Sequence, residues 1–269
     1  DYTTVTGNQF IGNIVTDWYY SGMYLYYMGG AMVCTKNTSI QRSTGTFTTT
    51  SGYAFYIYYP NNGPVITYNY GWCCYSPFYI YRMNNSYSSS TIRGKMINNM
   101  GIADGTSTVY GLYCSYPRYS DIAYNSIRTK NTYSAAYGIY QYGESSNYDV
   151  KFMNNMLSHE GDGQYYWIYN QYSACHSLFD YNIYYRTGYG TNNCLWNGTD
   201  YGTFAACKAA VSGFHQNSKI AYGKWTSATN LHSVSIAAYA AGTPVAGVAD
   251  DYDGDTRSST TPCIGADEF

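Results

Sequence analysis

The 269-residue chain carries 16 acidic and 14 basic side chains, a formal charge of −2, and only 11% charged residues. A quarter is usual for a globular domain, and neutralising phosphates takes a basic excess, so the composition excludes a generic nucleic-acid binder. No run approaches the ~18 apolar residues of a spanning helix, and the chain reads as not membrane-spanning.

Tyrosine dominates, with 38 copies against six leucines and three glutamates. Leu and Glu favour helices, whereas Tyr, Thr, Ile and Val suit strands, so the expected class is all-β. In chain order, aliphatic–aromatic pairs recur at Leu25-Tyr26, Ile57-Tyr58, Ile80-Tyr81, Leu112-Tyr113, Ile139-Tyr140, Ile168-Tyr169 and Leu195-Trp196. Half a period out of step come Asn8, Asn37, Asn69, Asn98, Asn125, Asn154 and Asn182, spaced by 27 to 32 residues. Turn clusters such as Pro60-Asn61-Asn62-Gly63 and Ala103-Asp104-Gly105 separate the two series.

Two short strands and their turns in about 28 residues leave no room for a crossover helix, which predicts a solenoid coil. About seven coils would rise roughly 30 Å, with like residues stacked on like, asparagines and aromatics included. The predicted fold is a right-handed parallel β-helix over residues 1–202. Residues 203–269 would add a short helix (Thr203 to Val211) and an irregular capping tail of the same domain, covering the strand edges at the end of the solenoid.

The tail carries a resemblance. Leu178-Phe179-Asp180-Tyr181-Asn182-Ile183-Tyr184-Tyr185 is followed by Leu195-Trp196-Asn197-Gly198-Thr199-Asp200-Tyr201 and Leu231-His232. Ala241-Gly242-Thr243-Pro244, Asp251-Tyr252-Asp253-Gly254-Asp255-Thr256-Arg257 and Ile264-Gly265-Ala266-Asp267-Glu268-Phe269 complete it. Over residues 177–269 this resembles secreted bacterial, Bacteroidetes-like right-handed parallel β-helix repeat proteins; the upstream coils match in rhythm only. The resemblance implies a secreted, extracellular or cell-surface protein. Such chains often carry further adhesion or sorting modules beyond this tail, so it also implies a processed or partial product. Cys263 stands where the family usually has Asp, and Cys207 where it often has Trp. These two departures make Cys207 and Cys263 candidates for a disulfide with each other.

The eight cysteines themselves favour an oxidising exterior and leave the pairing open. Adjacent residues of a strand face opposite ways, so only one of Cys73 and Cys74 can point inward. Carboxylates are absent from Trp18 to Ala103. Acid–base hydrolysis or calcium-assisted elimination needs clustered acids, which leaves His159, Glu160 and Asp162 as the candidate catalytic group. Cys175 beside His176 lacks an orienting third residue. Asp251, Asp253 and Asp255 around Gly254 have the oxygen-rich spacing of a calcium loop, though no Glu follows at the distance an EF-hand requires. No other cofactor is expected. Asn37, Asn84 and Asn197 head N-x-S/T sequons.

Tyrosine offers a broad apolar face and a hydroxyl, which suits a half-wet interface. Tyr24, Tyr26, Tyr56, Tyr58 and Tyr165 are the expected contacts for a glycan or for another copy. The leading expectation is an extracellular structural or adhesin-like module that self-assembles into filaments or matrix and touches polysaccharide. The alternative is a polysaccharide lyase or glycosidase on a β-helix scaffold.

Overall fold

In the computed structural model, residues 7–28, 30–41, 51–84, 92–132, 135–143, 149–171, 177–188, 192–211 and 213–269 are described. The chain is a parallel β-helix of three sheets. A representative coil runs from Gly94–Ile97 in the first sheet to Met100–Asp104 in the second and Val109–Ser115 in the third. Seven such triplets stack in parallel register. The coil therefore has three strands, not two. Strands as short as Val33–Thr35 and Val65–Thr67 span too few residues for alternation to stand out.

Inward residues form columns. In the first sheet Cys34, Ile66, Met96, Ile122, Phe152 and Phe179 stack in register, all with no exposed surface. In the third sheet the Phe55 and Phe78 rings stack at 5.2 Å. Each level buries the apolar face of its neighbour, so the hydrophobic gain repeats coil by coil.

The corner between the first and second sheets is built from a residue pair. Gly12, Lys36, Tyr68, Asn98, Tyr124, Asn154 and Tyr181 all have φ between 53° and 67° and turn the chain. The residue after each is an asparagine, and these seven form a ladder: Asn13, Asn37, Asn69, Asn99, Asn125, Asn155 and Asn182. In each rung but the last, the backbone N–H and the side-chain amide both donate to the Oδ1 of the next asparagine, at 2.9–3.1 Å. Asn182 ends the ladder by donating its N–H to Ser218 Oγ at 3.0 Å. The sequence series was thus one residue early at Asn98 and Asn154, which hold the left-handed corner instead, a conformation asparagine tolerates. Asn8 lies outside the ladder, and Asn13 takes the first place. A left-handed tyrosine costs on the order of 1 kcal/mol, offset where the ladder fixes the following residue.

The last third does two jobs. Helix α1 (Phe204–Ala210) is capped by Thr203, whose hydroxyl accepts from Ala206 N at 3.1 Å. With Phe214 and His215 it packs on the interior of the last coil around Phe179, Tyr184 and Trp196. Lys219–Ile220 then adds one parallel strand beyond Ile183–Thr187. From there the chain does not stay at the end. It folds back along the flank and covers the outer face of the second sheet, with Leu231 and Ala266 against Met100 and Ile102. Ala238 and Ile264 lie against Met156 and Ile183. The corner residues seat it: Tyr68 Oη donates to Asp250 Oδ1 at 2.6 Å, and Tyr124 Oη to Thr243 O at 2.7 Å. Asn154 exchanges two hydrogen bonds with Thr243.

The disulfide joins Cys194 to Cys207, not Cys207 to Cys263. Cys194 ends an inward column of the third sheet directly under α1, whereas Cys263 lies on the tail, buried, with its thiol donating to Phe269 O. Cys73 is buried and Cys74 half-buried, as opposite faces require. Burial pushes the thiols of Cys34, Cys73 and Cys114 up to about 12, so they serve as inert apolar filling. The bridge closes a segment of 13 residues, for which chain entropy gives about 3 kcal/mol. A Cys194→Ala/Cys207→Ala variant is expected to lose about that much stability in urea unfolding, with its strand content retained.

Candidate functional site: the tyrosine face of the third sheet

Through the first six coils the outward positions of the third sheet are mostly tyrosines in register, giving way to Asn193 and Leu195 in the last. One column runs Tyr24, Tyr56, Tyr79, Tyr113, Tyr140 and Tyr169. Its ring centroids are 5.0, 4.6, 4.2, 4.7 and 4.8 Å apart. Those spacings follow the 4.7–4.9 Å step between strands, which places each ring face on the next. A second column, Tyr75, Tyr110, Tyr137 and Tyr166, lies beside it at 5.0, 4.7 and 5.2 Å. Edge-to-face contacts lock the two columns together, as between Tyr110 and Tyr113 at 5.0 Å. A shorter third column holds Tyr26, Tyr58 and Tyr81.

The six strands from Ser21–Tyr26 to Tyr165–Asn170 carry no Asp, Glu, Lys or Arg. At the rim the Arg82 guanidinium lies 5.2 Å from the Tyr59 ring and 5.3 Å from that of Tyr116. Desolvation first, then neighbouring phenols, pushes the tyrosines up: Tyr137 to about 12, and Tyr79, Tyr110 and Tyr140 further. These phenols are therefore neutral across the physiological range.

Of the tyrosines expected at a surface, Tyr24, Tyr26, Tyr56 and Tyr58 stand on this face. Tyr165 does not. It is fully buried, its ring stacked 4.8 Å from His159. Its hydroxyl lies over Gly138, where an added Cβ would sit 2.6 Å away. Alternation places Tyr166 outside, and the missing side chain at Gly138 makes room for Tyr165 inside.

The expected catalytic group does not converge. His159 is buried, with Nδ1 3.0 Å from Thr129 Oγ1. Desolvation, then the Arg186 charge, lowers it to about 4, and its Nε2 has no hydrogen-bond partner. Glu160, on the opposite face of the strand, accepts from Arg128 Nε at 2.8 Å and from its Nη2 at 2.6 Å. That pairing holds its carboxyl below the usual range. Asp162 is exposed in the following turn. Strand alternation alone separates His159 from Glu160. Cys175 and His176 lie outside the described residues.

The aspartate loop is also spoken for. Asp251 is buried and accepts from the N–H groups of Asp253, Gly254 and Asp255 through Oδ1, and from Glu268 through Oδ2. Its oxygens organise the turn, and Asp253 points instead at His232, so Asp251, Asp253 and Asp255 do not form a calcium cage. Asp267, beside them, is pushed up to about 6, mainly by burial and then by Asp251 and Asp253. Among the sequons, Asn37 and Asn84 are buried with their amides donating to protein carbonyl groups, so neither amide can be modified in the folded chain. Asn197 is exposed in the turn before Thr199–Tyr201.

A cleft of about 370 Å³ lies between the first sheet and tail residues Pro244 to Ala246. Its Arg93 is already paired with Asp121 and Asp149, at 2.8 and 2.7 Å. Among the described residues no helix is long and apolar enough to cross a membrane. No family model, curated protein or solved structure matches the chain.

Proposed function

We propose that the protein is an extracellular structural module that associates side to side through its tyrosine face. The observation that carries this reading is the registered pair of tyrosine columns across six strands without a charged residue, with Arg82 and Asp200 only at the margins. The centres of two such faces meet without desolvating an ion, and both repeat at the same strand step, so one copy is complementary to another along the six tyrosine strands. Stacking within a column occupies the ring faces, which leaves hydroxyls and ring edges pointing outward. A sugar ring needs an open aromatic face, and the exposed Tyr24 and Tyr26 at the first coil are where one would sit. Glycan contact is therefore the second reading, confined to that edge. The disulfide supports an oxidising compartment, and the tail's resemblance points to a secreted bacterial chain.

Sedimentation velocity across a wide concentration range, with negative-stain images of the same samples, tests the proposal. The wild-type chain is expected to form oligomers or filaments. Tyr113→Arg places a charge in the centre of the face and should weaken association at least tenfold, as should Tyr79→Ser/Tyr113→Ser/Tyr140→Ser with an unchanged far-ultraviolet spectrum. A wild-type chain that stays monomeric at the highest concentration, or assembly indifferent to both variants, overturns it. Retention on polysaccharide lost in Tyr24→Ser/Tyr26→Ser, with no self-association, would favour the second reading instead.

A further inference from the structure

His232, Asp253 and Asp267 come from three separate stretches of the folded-back tail, and their ligand atoms lie within 4.8 Å of one another. The imidazole is aimed from behind. His232 Nδ1 lies in hydrogen-bond contact with Asn230 Oδ1, an acceptor, so this nitrogen carries the proton. Its Nε2 then directs a lone pair at Asp253 Oδ2, 2.6 Å away. Two lone pairs do not stand that close without a positive charge to bind them, either a second proton or a metal ion. An imidazole whose far N–H is held by a carbonyl oxygen is also the usual arrangement behind a metal-ligating histidine. Asp267 is buried on the third side, with Oδ2 accepting from Ser233 N at 3.2 Å. The surroundings are acidic: Asp251, Asp255 and Glu268 are close in sequence, and Arg257 is engaged with Glu268 at 3.2 Å.

We propose that His232, Asp253 and Asp267 bind one divalent transition metal of the zinc class, which clips the three tail stretches together over the second sheet. One imidazole and two carboxylates select zinc, cobalt or nickel over calcium, which takes six to eight oxygens. Binding needs the exposed Asp253 side chain to draw back from His232 Nε2 by less than about 1 Å, to distances usual for metal ligands. Because the clip binds only the folded tail, the metal should raise thermal stability.

The test uses the EDTA-stripped, dialysed full chain at pH 7.5, titrated with zinc chloride by calorimetry and with cobalt chloride by visible absorption. One equivalent is expected to bind at micromolar or tighter concentration, with a cobalt d–d band and a higher melting temperature. His232→Gln and Asp253→Asn should each weaken binding at least tenfold with an unchanged far-ultraviolet spectrum, and calcium chloride should give no saturable binding in the same range. Absence of zinc and cobalt binding, binding undiminished in both variants, or calcium taken up in preference to zinc would each overturn the proposal.

Discussion

Lowering the pH from 7 to 4 is expected to cost the fold several kcal/mol through two histidines that never meet water. His159 and His215 are fully buried, and desolvation lowers both to about 4 from an ordinary 6.5. His215 has neither ring nitrogen hydrogen-bonded, packed as it is among Phe179, Tyr184, Trp196 and Phe204. Between these pH limits the unfolded chain binds protons that the folded chain refuses, so stability falls as pH drops from 6.5 towards 4 and levels off below. Each histidine accounts for about 3 kcal/mol. Asp267 works against them, because its raised ionisation makes acidification relieve a buried charge over much of the same window. Glu160, held low by Arg128, contributes its loss only below about 4.5. Urea midpoints measured in EDTA at half-unit pH steps should show the net decline. His159→Leu should flatten it by about 3 kcal/mol, and Asp267→Asn should steepen it. A His159→Leu profile parallel to the wild type would refute the assignment.

The second large effect is expected in the asparagine ladder. Asn125 accepts from the N–H and the amide of Asn99, and donates to Met96 O and Asn155 Oδ1, all inside the solenoid. Asn125→Ala leaves several of these groups buried without a partner, each costing about 1–3 kcal/mol. A total loss of about 3–5 kcal/mol is expected, enough to unfold a domain of ordinary stability at moderate urea. Asn125→Asp does not repair it, because a carboxylate cannot donate to Met96 O or Asn155 Oδ1. Asn13 offers the control: it sits exposed at the first coil and bonds only upward, so Asn13→Ala should cost under about 1 kcal/mol. Equal losses at the two positions would mean that the ladder is not what holds the coils in register.

The coil and its period were legible because asparagine is uncommon inside strands and its recurrence is easy to see. The exact rung was not, where Asn98-Asn99 and Asn154-Asn155 offer two candidates and only the backbone turn decides between them. The inside-or-outside choice at Tyr165-Tyr166 hung on Gly138, a residue in the neighbouring coil. Cys194 carried no mark of its own, since what selects it as the partner of Cys207 is the seat of α1 over the last coil. The path of the tail was the least legible feature. Tyr68 and Asp250 meet across 182 residues of sequence, and no local pattern announces such a contact. For the same reason the His232, Asp253 and Asp267 group did not stand out, whereas the denser aspartate run beside it did.

Repeat proteins commonly lengthen or shorten by whole units, since each unit touches only its neighbours. Here the returning strap measures the stack. It grips Tyr68 two levels above the start and Asn154 three levels further on, at distances fixed by its own covalent length. Inserting or removing one turn between those grips would leave one of them unmatched, so the number of levels between them is set by a segment that belongs to none of them.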